Sequence, residues 1–237
     1  MPTQQNKVVY LKNYEPPAFL IDSVKLTFKL SPSKTRVTSE IRFKPNSKSS
    51  TKVFSLMGEE LSLIWAKVDG ILVSPTKTKN GLTCKVPEEP FVWESEVEIQ
   101  PDTNTRLEGL YISNGMYTTQ CEAEGFRRIT YYPDRPDVLA KFQVRIESTE
   151  PILLSNGNLI DSGAGFAEWY DPWPKPSYLF ALVAGTLVKY SDHYKSRSGL
   201  NVDLNIWVRS GDEDKCDFAM SALKKAMKWD EVTYERE

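Results

Sequence analysis

One charged segment carries the side chains of this sequence that are best suited to chemistry. Residues 119–137 read Thr-Gln-Cys-Glu-Ala-Glu-Gly-Phe-Arg-Arg-Ile-Thr-Tyr-Tyr-Pro-Asp-Arg-Pro-Asp. The stretch combines acids, an amide and arginines with a glycine and two prolines that restrict the backbone. Charged groups held on a rigid loop are where binding and catalytic roles concentrate. We therefore take this segment as the first candidate for a functional site.

Gln120 and Glu122 are the pair in this segment that suits a ligand. If the backbone is extended, side chains two residues apart point to the same side, so Gln120 and Glu122 would face one pocket. Cys121 and Ala123 would then face the other way. A carboxylate beside an amide oxygen suits an ammonium group, and such a charge-assisted hydrogen bond contributes about 1.5–3 kcal/mol.

A second interpretation of the same acids remains open. Glu122 and Glu124 could simply form ion pairs with Arg127 and Arg128, three to six residues further along the chain. Spacing alone favours these ion pairs over a ligand site. The position of the Glu122 carboxylate decides between the two.

The sequence has a single histidine, His193, among 237 residues. A serine triad needs a histidine base, and a zincin helix needs two histidines four residues apart. Neither a Gly-x-Ser-x-Gly elbow nor a phosphate-binding glycine motif is present. We interpret His193 as an exposed loop residue without a role. The sequence thus predicts no catalytic residue and no metal-ligand set in this chain.

Three cysteines, Cys84, Cys121 and Cys216, are odd in number and far apart. A disulfide framework usually needs an even number of cysteines. Reduced thiols in a cytoplasmic protein are the plain interpretation. The alternative is a zinc site built from the three cysteines and His193, although no pair has the Cys-x-x-Cys spacing of structural zinc sites.

Composition argues against two classes of partner. The net charge is −2, with 30 basic and 32 acidic residues, so no nucleic-acid surface is predicted. The sequence contains no run of about 18 apolar residues, so no membrane span is predicted. The polar N-terminus lacks the apolar stretch of a signal peptide. We expect a cytoplasmic protein that binds neither nucleic acid nor membrane.

The first 190 residues read as strands and turns. Apolar residues alternate with polar ones over residues 24–30 and again over residues 37–43, with a turn between them, which predicts a hairpin. Asp69-Gly70 and Asn80-Gly81 predict two further tight turns. Three prolines within residues 169–176 exclude a helix or a central strand there. The apolar run 178–185 predicts a strand covered on both faces, with a buried helix turn as the alternative.

The period of the pattern changes after residue 208. Residues 202–208 alternate as a strand, whereas Cys216, Ala219, Met220, Leu223 and Met227 have helical spacing. The helical pattern continues towards Glu237 without a glycine or proline stop. We interpret the chain as a fragment that ends just inside a second domain that contains helices.

These motifs together resemble the N-terminal domain of bacterial aminopeptidase N, a zinc exopeptidase of the gluzincin type. The resemblance is strongest over residues 119–140 and weakest over residues 1–100. It also includes the segments Leu107-Glu108-Gly109-Leu110-Tyr111, Leu154-Ser155-Asn156-Gly157-Asn158, Lys175-Pro176 and Met227-Lys228-Trp229-Asp230-Glu231.

The resemblance implies a mostly β fold. Residues 1–192 would form a saddle-like, multi-sheet β-sandwich domain, and residues 193–237 would supply the first strand and helix of a truncated, thermolysin-like α+β catalytic domain. Gln120 and Glu122 would line the first substrate subsite, where Glu122 holds the free α-ammonium group of a peptide. The peptide and the catalytic domain in cis would be the partners.

The resemblance also places zinc in the complete enzyme and not in this chain. The family's Gly-Ala-Met-Glu-Asn and His-Glu-x-x-His motifs would lie beyond residue 237, so the fragment is expected to bind no zinc and to be inactive. Two rivals remain: the β domain of a bifunctional epoxide hydrolase/aminopeptidase, and a standalone, non-catalytic β-rich binding module.

Overall fold

The computed structural model describes residues 10–237, so the first nine residues of the predicted β domain lie outside it. The described residues are mostly β, as predicted, and they contain a single α-helix, α1 (Cys216–Tyr234). The strands, in chain order, are β1 (Phe19–Lys29), β2 (Thr35–Pro45), β3 (Phe54–Met57), β4 (Ser62–Val68), β5 (Ile71–Val73), β6 (Thr76–Thr78), β7 (Gly81–Cys84), β8 (Phe91–Ile99), β9 (Gly109–Ser113), β10 (Met116–Gln120), β11 (Leu139–Glu147), β12 (Ile152–Ser155), β13 (Asn158–Gly163), β14 (Phe166–Pro176), β15 (Leu182–Gly185), β16 (Val188–Lys195) and β17 (Asn201–Val208).

The chain divides into two compact units between Ala184 and Gly185. The boundary expected after residue 192 falls inside β16 and stays a prediction. The first unit holds three sheets, and the second holds the β16–β17 hairpin and α1.

The largest sheet has eight strands in the order β13-β14-β11-β1-β2-β8-β4-β5. The predicted hairpin is confirmed: β1 and β2 are antiparallel, with Val24 opposite Ile41 and Phe28 opposite Val37. All four side chains are buried, because the period of two directs them to one face. The predicted turn at Asp69-Gly70 is also confirmed between β4 and β5, with positive φ at both residues.

The proline-rich segment differs from its prediction. β14 lies between β13 and β11, and its Trp169 and Tyr170 pair with both neighbours, so a central strand does exist there. The prolines follow Tyr170, where β14 pairs with β11 alone. Pro172 and Pro174 sit in a bulge opposite Lys141, where no ladder hydrogen bond is required of them.

A four-stranded sheet in the order β12-β15-β10-β9 carries the candidate segment. The strand expected over residues 178–185 is only half present, because β15 begins at Leu182. The residues before Leu182 bond to a side chain and not to a neighbouring strand. The Asn156 side chain donates to the carbonyl of Leu179 and accepts from the amide of Ala181. These bonds satisfy backbone groups that would otherwise need a strand partner.

An aromatic cluster forms the floor beneath the candidate segment. Phe126 makes edge-to-face contacts with Tyr132, Phe142 and Phe180, at centroid distances of 4.9, 6.0 and 5.3 Å. The four rings are at most 3% exposed. Such aromatic pairs add about 0.5–1.5 kcal/mol each beyond burial, so the residue that follows the charged turn is firmly anchored.

The second unit confirms the predicted strand and helix. Cys216 and Met220 are buried on one face of α1, as their spacing predicts, while Leu223 is 39% exposed. His193 is exposed but lies in β16, not in a loop, and its Nδ1 is 3.0 Å from Asp203 Oδ1 on β17. Among residues 10–237, α1 has too few apolar residues to count as a candidate membrane span.

Candidate functional site

The segment 120–125, here called the recognition turn, begins where β10 ends. Gln120 is the last residue of β10 and lies opposite Gly109 of β9. The chain then leaves the sheet, and the Gly125 amide donates to the Cys121 carbonyl over 2.8 Å. A short 3-10 turn at residues 126–128 follows directly. A sheet edge on one side and the aromatic cluster on the other thus fix the turn.

The prediction that Gln120 and Glu122 face one pocket assumed an extended backbone, and that assumption is wrong beyond Cys121. Gln120 and Glu122 are both exposed and Cys121 is buried, but Ala123 is exposed too, because the chain turns instead of continuing as a strand. The Glu122–Ala123 peptide bond is cis. The Gln120 side-chain amide donates to the Glu122 carbonyl over 3.1 Å, which joins the two predicted site residues.

The two acids of the turn have different partners. Glu124 forms an ion pair of 3.2 Å with Arg127. Within the described part of the chain, the Glu122 carboxylate makes no ion pair and no hydrogen bond. The ion-pair interpretation therefore holds for Glu124 and fails for Glu122. One carboxylate of the recognition turn is free to receive a cationic ligand.

Arg127 joins the recognition turn to the loop that precedes β11. Its main-chain N and its Nε both donate to Asp134 Oδ2, each over 3.1 Å, and its Nη2 donates to the Asp134 carbonyl. The Asp134 side chain is 2% exposed, and its other oxygen accepts from Ser177 Oγ. A buried carboxylate is tolerated here because it is paired with a cation and fully hydrogen-bonded.

Arg128 reaches three acids that the sequence analysis did not single out as site residues. Its Nε donates to Glu108 Oε2 over 3.1 Å, and its Nη2 donates to Glu59 Oε2. Its Nη1 lies 2.9 Å from Glu60 Oε2 but makes no hydrogen bond within the described ranges, so this contact is an ion pair only. Glu108 lies in the segment Leu107-Glu108-Gly109-Leu110-Tyr111, which is part of the family resemblance. No pattern in the neighbouring sequence indicates Glu59 or Glu60.

Two glycines allow the turn to pack against β9. A Cβ on Gly125 would lie 2.3 Å from the Gln120 carbonyl oxygen and 2.9 Å from the Gly109 amide nitrogen. A Cβ on Gly109 would lie 2.8 Å from the Cβ of Arg128. Distances this short leave no room for a side chain. The recognition turn, β9 and Arg128 are therefore in direct backbone contact.

The alternative zinc site is not assembled in the described part of the chain. Residues 10–237 contain no group of three His, Cys, Asp or Glu side chains that could hold a metal ion. Burial, with a smaller contribution from the charge of Asp134, raises the pKa of the Cys121 thiol, which favours the protonated form. The three cysteines and His193 therefore do not come together as the alternative zinc site among residues 10–237.

The fold and the turn define a multi-sheet β domain that presents a carboxylate on an anchored loop. Residues 12–179 match the family described as the Peptidase M1 N-terminal domain, and the chain belongs to that family. Aminopeptidase N of Caulobacter vibrioides is 44% identical, and the match covers 100% of this chain and 28% of that protein. Aminopeptidase N of Escherichia coli is 41% identical, over 98% of this chain and 28% of that protein.

A solved structure agrees with this assignment. The crystal structure of Legionella pneumophila aminopeptidase A in complex with aspartic acid superposes with a TM-score of 0.88 at 35% identity. The match covers 96% of this chain and 28% of that one. The chain thus spans little more than a quarter of the length of the relatives it matches.

Proposed function

We propose that this domain forms the substrate-recognition wall of a zinc aminopeptidase, in which Glu122 and Gln120 bind the free N-terminus of a peptide. The observation that carries the proposal is the Glu122 carboxylate, which has no ion-pair or hydrogen-bond partner among residues 10–237. It lies on a turn whose other acid, Glu124, is already paired with Arg127. A carboxylate without a protein partner on an anchored loop suits a cationic ligand.

The chemistry of the two side chains matches an α-ammonium group. An ammonium offers three N–H donors, and a carboxylate accepts the first of them with the added strength of opposite charge. The Gln120 amide uses its N–H on the Glu122 carbonyl, which leaves its oxygen available as a second acceptor. Gln120 therefore orients the turn and contacts the ligand with different atoms.

Binding the terminus would set the cleavage position. When Glu122 holds the ammonium group, the first peptide bond is the only one that lies a single residue away from the bound terminus. The binding energy at the terminus therefore positions one carbonyl for reaction. The catalytic groups and the zinc would come from the catalytic domain in cis. The described residues of this chain contribute recognition and not the chemical step.

The test is kinetic and uses the full-length enzyme. Glu122→Ala and Glu122→Gln should lower kcat/KM on aminoacyl anilides by about 10–100-fold, the equivalent of one charge-assisted hydrogen bond. Glu124→Gln is the matched control, since it removes the same charge two residues along the chain, from a carboxylate that is exposed and paired with Arg127. It should stay within about fivefold of wild type. Wild-type kinetics for both Glu122 variants would reject the assignment.

A further inference from the structure

Arg128 is the most densely paired charge next to the recognition turn. Its side chain is only 7% exposed, yet its partners Glu59, Glu60 and Glu108 are 41–62% exposed. Glu59 and Glu60 lie between β3 and β4, and Glu108 immediately precedes β9. One guanidinium therefore joins three segments that are distant in sequence. We call these four residues the Arg128 cluster.

The geometry of the cluster needs an arginine. Three different nitrogens, Nε, Nη1 and Nη2, each approach a different carboxylate. A planar guanidinium presents its donors in a fixed fork, whereas a lysine ammonium is a point charge that cannot reach three separated acids in this way. A backbone bond of 3.0 Å from the Glu59 amide to the Arg127 carbonyl fixes the same loop to the turn.

The cluster is mechanically coupled to the two binding residues. The Arg128 amide donates to the Gly125 carbonyl over 3.0 Å, so the arginine is bonded to the end of the recognition turn. Its Cβ lies against Gly109, which is the β9 residue opposite Gln120. A shift of the Arg128 backbone would therefore disturb Gly109 and Gly125, the two glycines that lie against Gln120.

The cluster also explains why the Glu122 carboxylate is free. Arg128 is three residues from Gly125 and would be an obvious partner for an acid of the turn. It instead forms ion pairs with Glu59, Glu60 and Glu108, so its charge is already compensated by groups on other segments. A carboxylate can bind a cationic ligand more readily when the neighbouring arginines are already paired with other acids.

We propose that Arg128 is a positioning residue for peptide N-terminus binding, which orders the recognition turn and keeps the Glu122 carboxylate unpaired. The proposal rests on the proposed function of Glu122. The role proposed for Arg128 differs from that of Glu122, because Arg128 acts only through the turn and never touches the substrate.

The experiment is a double-mutant cycle in the full-length enzyme, with Arg128→Lys and Glu122→Gln alone and combined. Arg128→Lys should raise KM for an aminoacyl anilide about 3–10-fold, with kcat within twofold. In the Glu122→Gln background the same change should add less than twofold, because the group it positions is already lost. Arg106→Lys is the control: Arg106 is exposed, pairs with the same Glu60 at 3.3 Å, and should have no effect.

The outcomes separate the two proposals. An Arg128→Lys effect that persists undiminished in the Glu122→Gln background overturns the positioning role, because the arginine then acts independently of Glu122. Wild-type kinetics for Glu122→Gln reject the proposed function itself. If Arg128→Lys fails to fold, Glu108→Gln removes one exposed arm of the cluster and should raise KM in the same direction. Unchanged kinetics for Glu108→Gln then overturn the positioning role.

Discussion

The side-chain amide of Gln120 donates a hydrogen bond of 3.1 Å to the main-chain carbonyl of Glu122. This bond connects the last residue of β10 to the turn that carries the free carboxylate. It restrains the backbone at Glu122 and leaves that side chain without a partner in the described part of the chain. The bond therefore couples the side chain of one candidate site residue to the main chain of the other.

The first prediction concerns that bond. Gln120→Ala in the full-length enzyme should lower kcat/KM by about 3–10-fold, because it removes one neutral hydrogen bond within the turn. The loss should be smaller than that of Glu122→Ala. Steady-state kinetics on aminoacyl anilides measure it. Gln100→Ala, at an exposed glutamine after β8, is the control. A loss larger than that of Glu122→Ala would contradict the supporting role.

Local sequence predicted the parts of the fold that local patterns determine. The period of two placed Val24, Phe28, Val37 and Ile41 on one buried face, and helical spacing located α1. Tertiary contacts decided what was missed. The extended backbone expected at Glu122 gives way to a turn because Phe126 enters the aromatic core immediately afterwards.

The partners of Arg128 could not have been predicted from spacing. The nearest acids in sequence, Glu122 and Glu124, do not pair with it, whereas Glu59 is 69 residues away. Sheet topology brings those segments together, and a single sequence does not report that topology. The candidate pair Gln120 and Glu122 was predicted from composition and resemblance, whereas the network around it is visible only in the structure.

The second prediction tests the close packing of the turn. Gly125→Ala should lower the free energy of unfolding by about 1–3 kcal/mol, the usual cost of overpacking a rigid site. Gly125 has φ −80°, so alanine is not strained there and the effect is steric. Urea unfolding of this chain measures the change. Gly163→Ala is the control, since the three atoms nearest its new methyl group all belong to the Phe166 side chain, which can move. Equal stability of Gly125→Ala and wild type would refute the contact.

The third prediction ranks the thiols. Cys84 is half-buried, whereas Cys121 and Cys216 are 2% and 4% exposed. Iodoacetamide should therefore label Cys84 first, and the other two only after unfolding. Burial raises the pKa of Cys84, so its labelling rate should still rise about tenfold per pH unit between pH 8 and 9. Peptide mass spectrometry measures each site, and Cys84→Ser should abolish the fast phase. Early labelling of Cys121 would contradict the structure.

The fourth prediction concerns a buried hydroxyl in the aromatic cluster. Tyr132 is fully buried, and its hydroxyl has no hydrogen-bond partner among residues 10–237. An unsatisfied buried polar group costs about 1–3 kcal/mol. Tyr132→Phe removes the hydroxyl and keeps the ring, so it should raise the free energy of unfolding by that amount. Tyr10→Phe, at an exposed tyrosine, should change stability by less than about 0.5 kcal/mol.

The pH dependence of this variant gives an independent check. Burial, and to a smaller extent the charge of Asp134, raises the pKa of Tyr132 in the folded protein. The unfolded chain loses that proton near pH 10, while the folded chain keeps it, so wild-type stability falls as the pH rises above about 10. Tyr132→Phe lacks this group and should lose less stability over the same range. The stability difference between variant and wild type should therefore widen from pH 9 to pH 11 in urea unfolding; a constant difference would place the hydroxyl in contact with solvent.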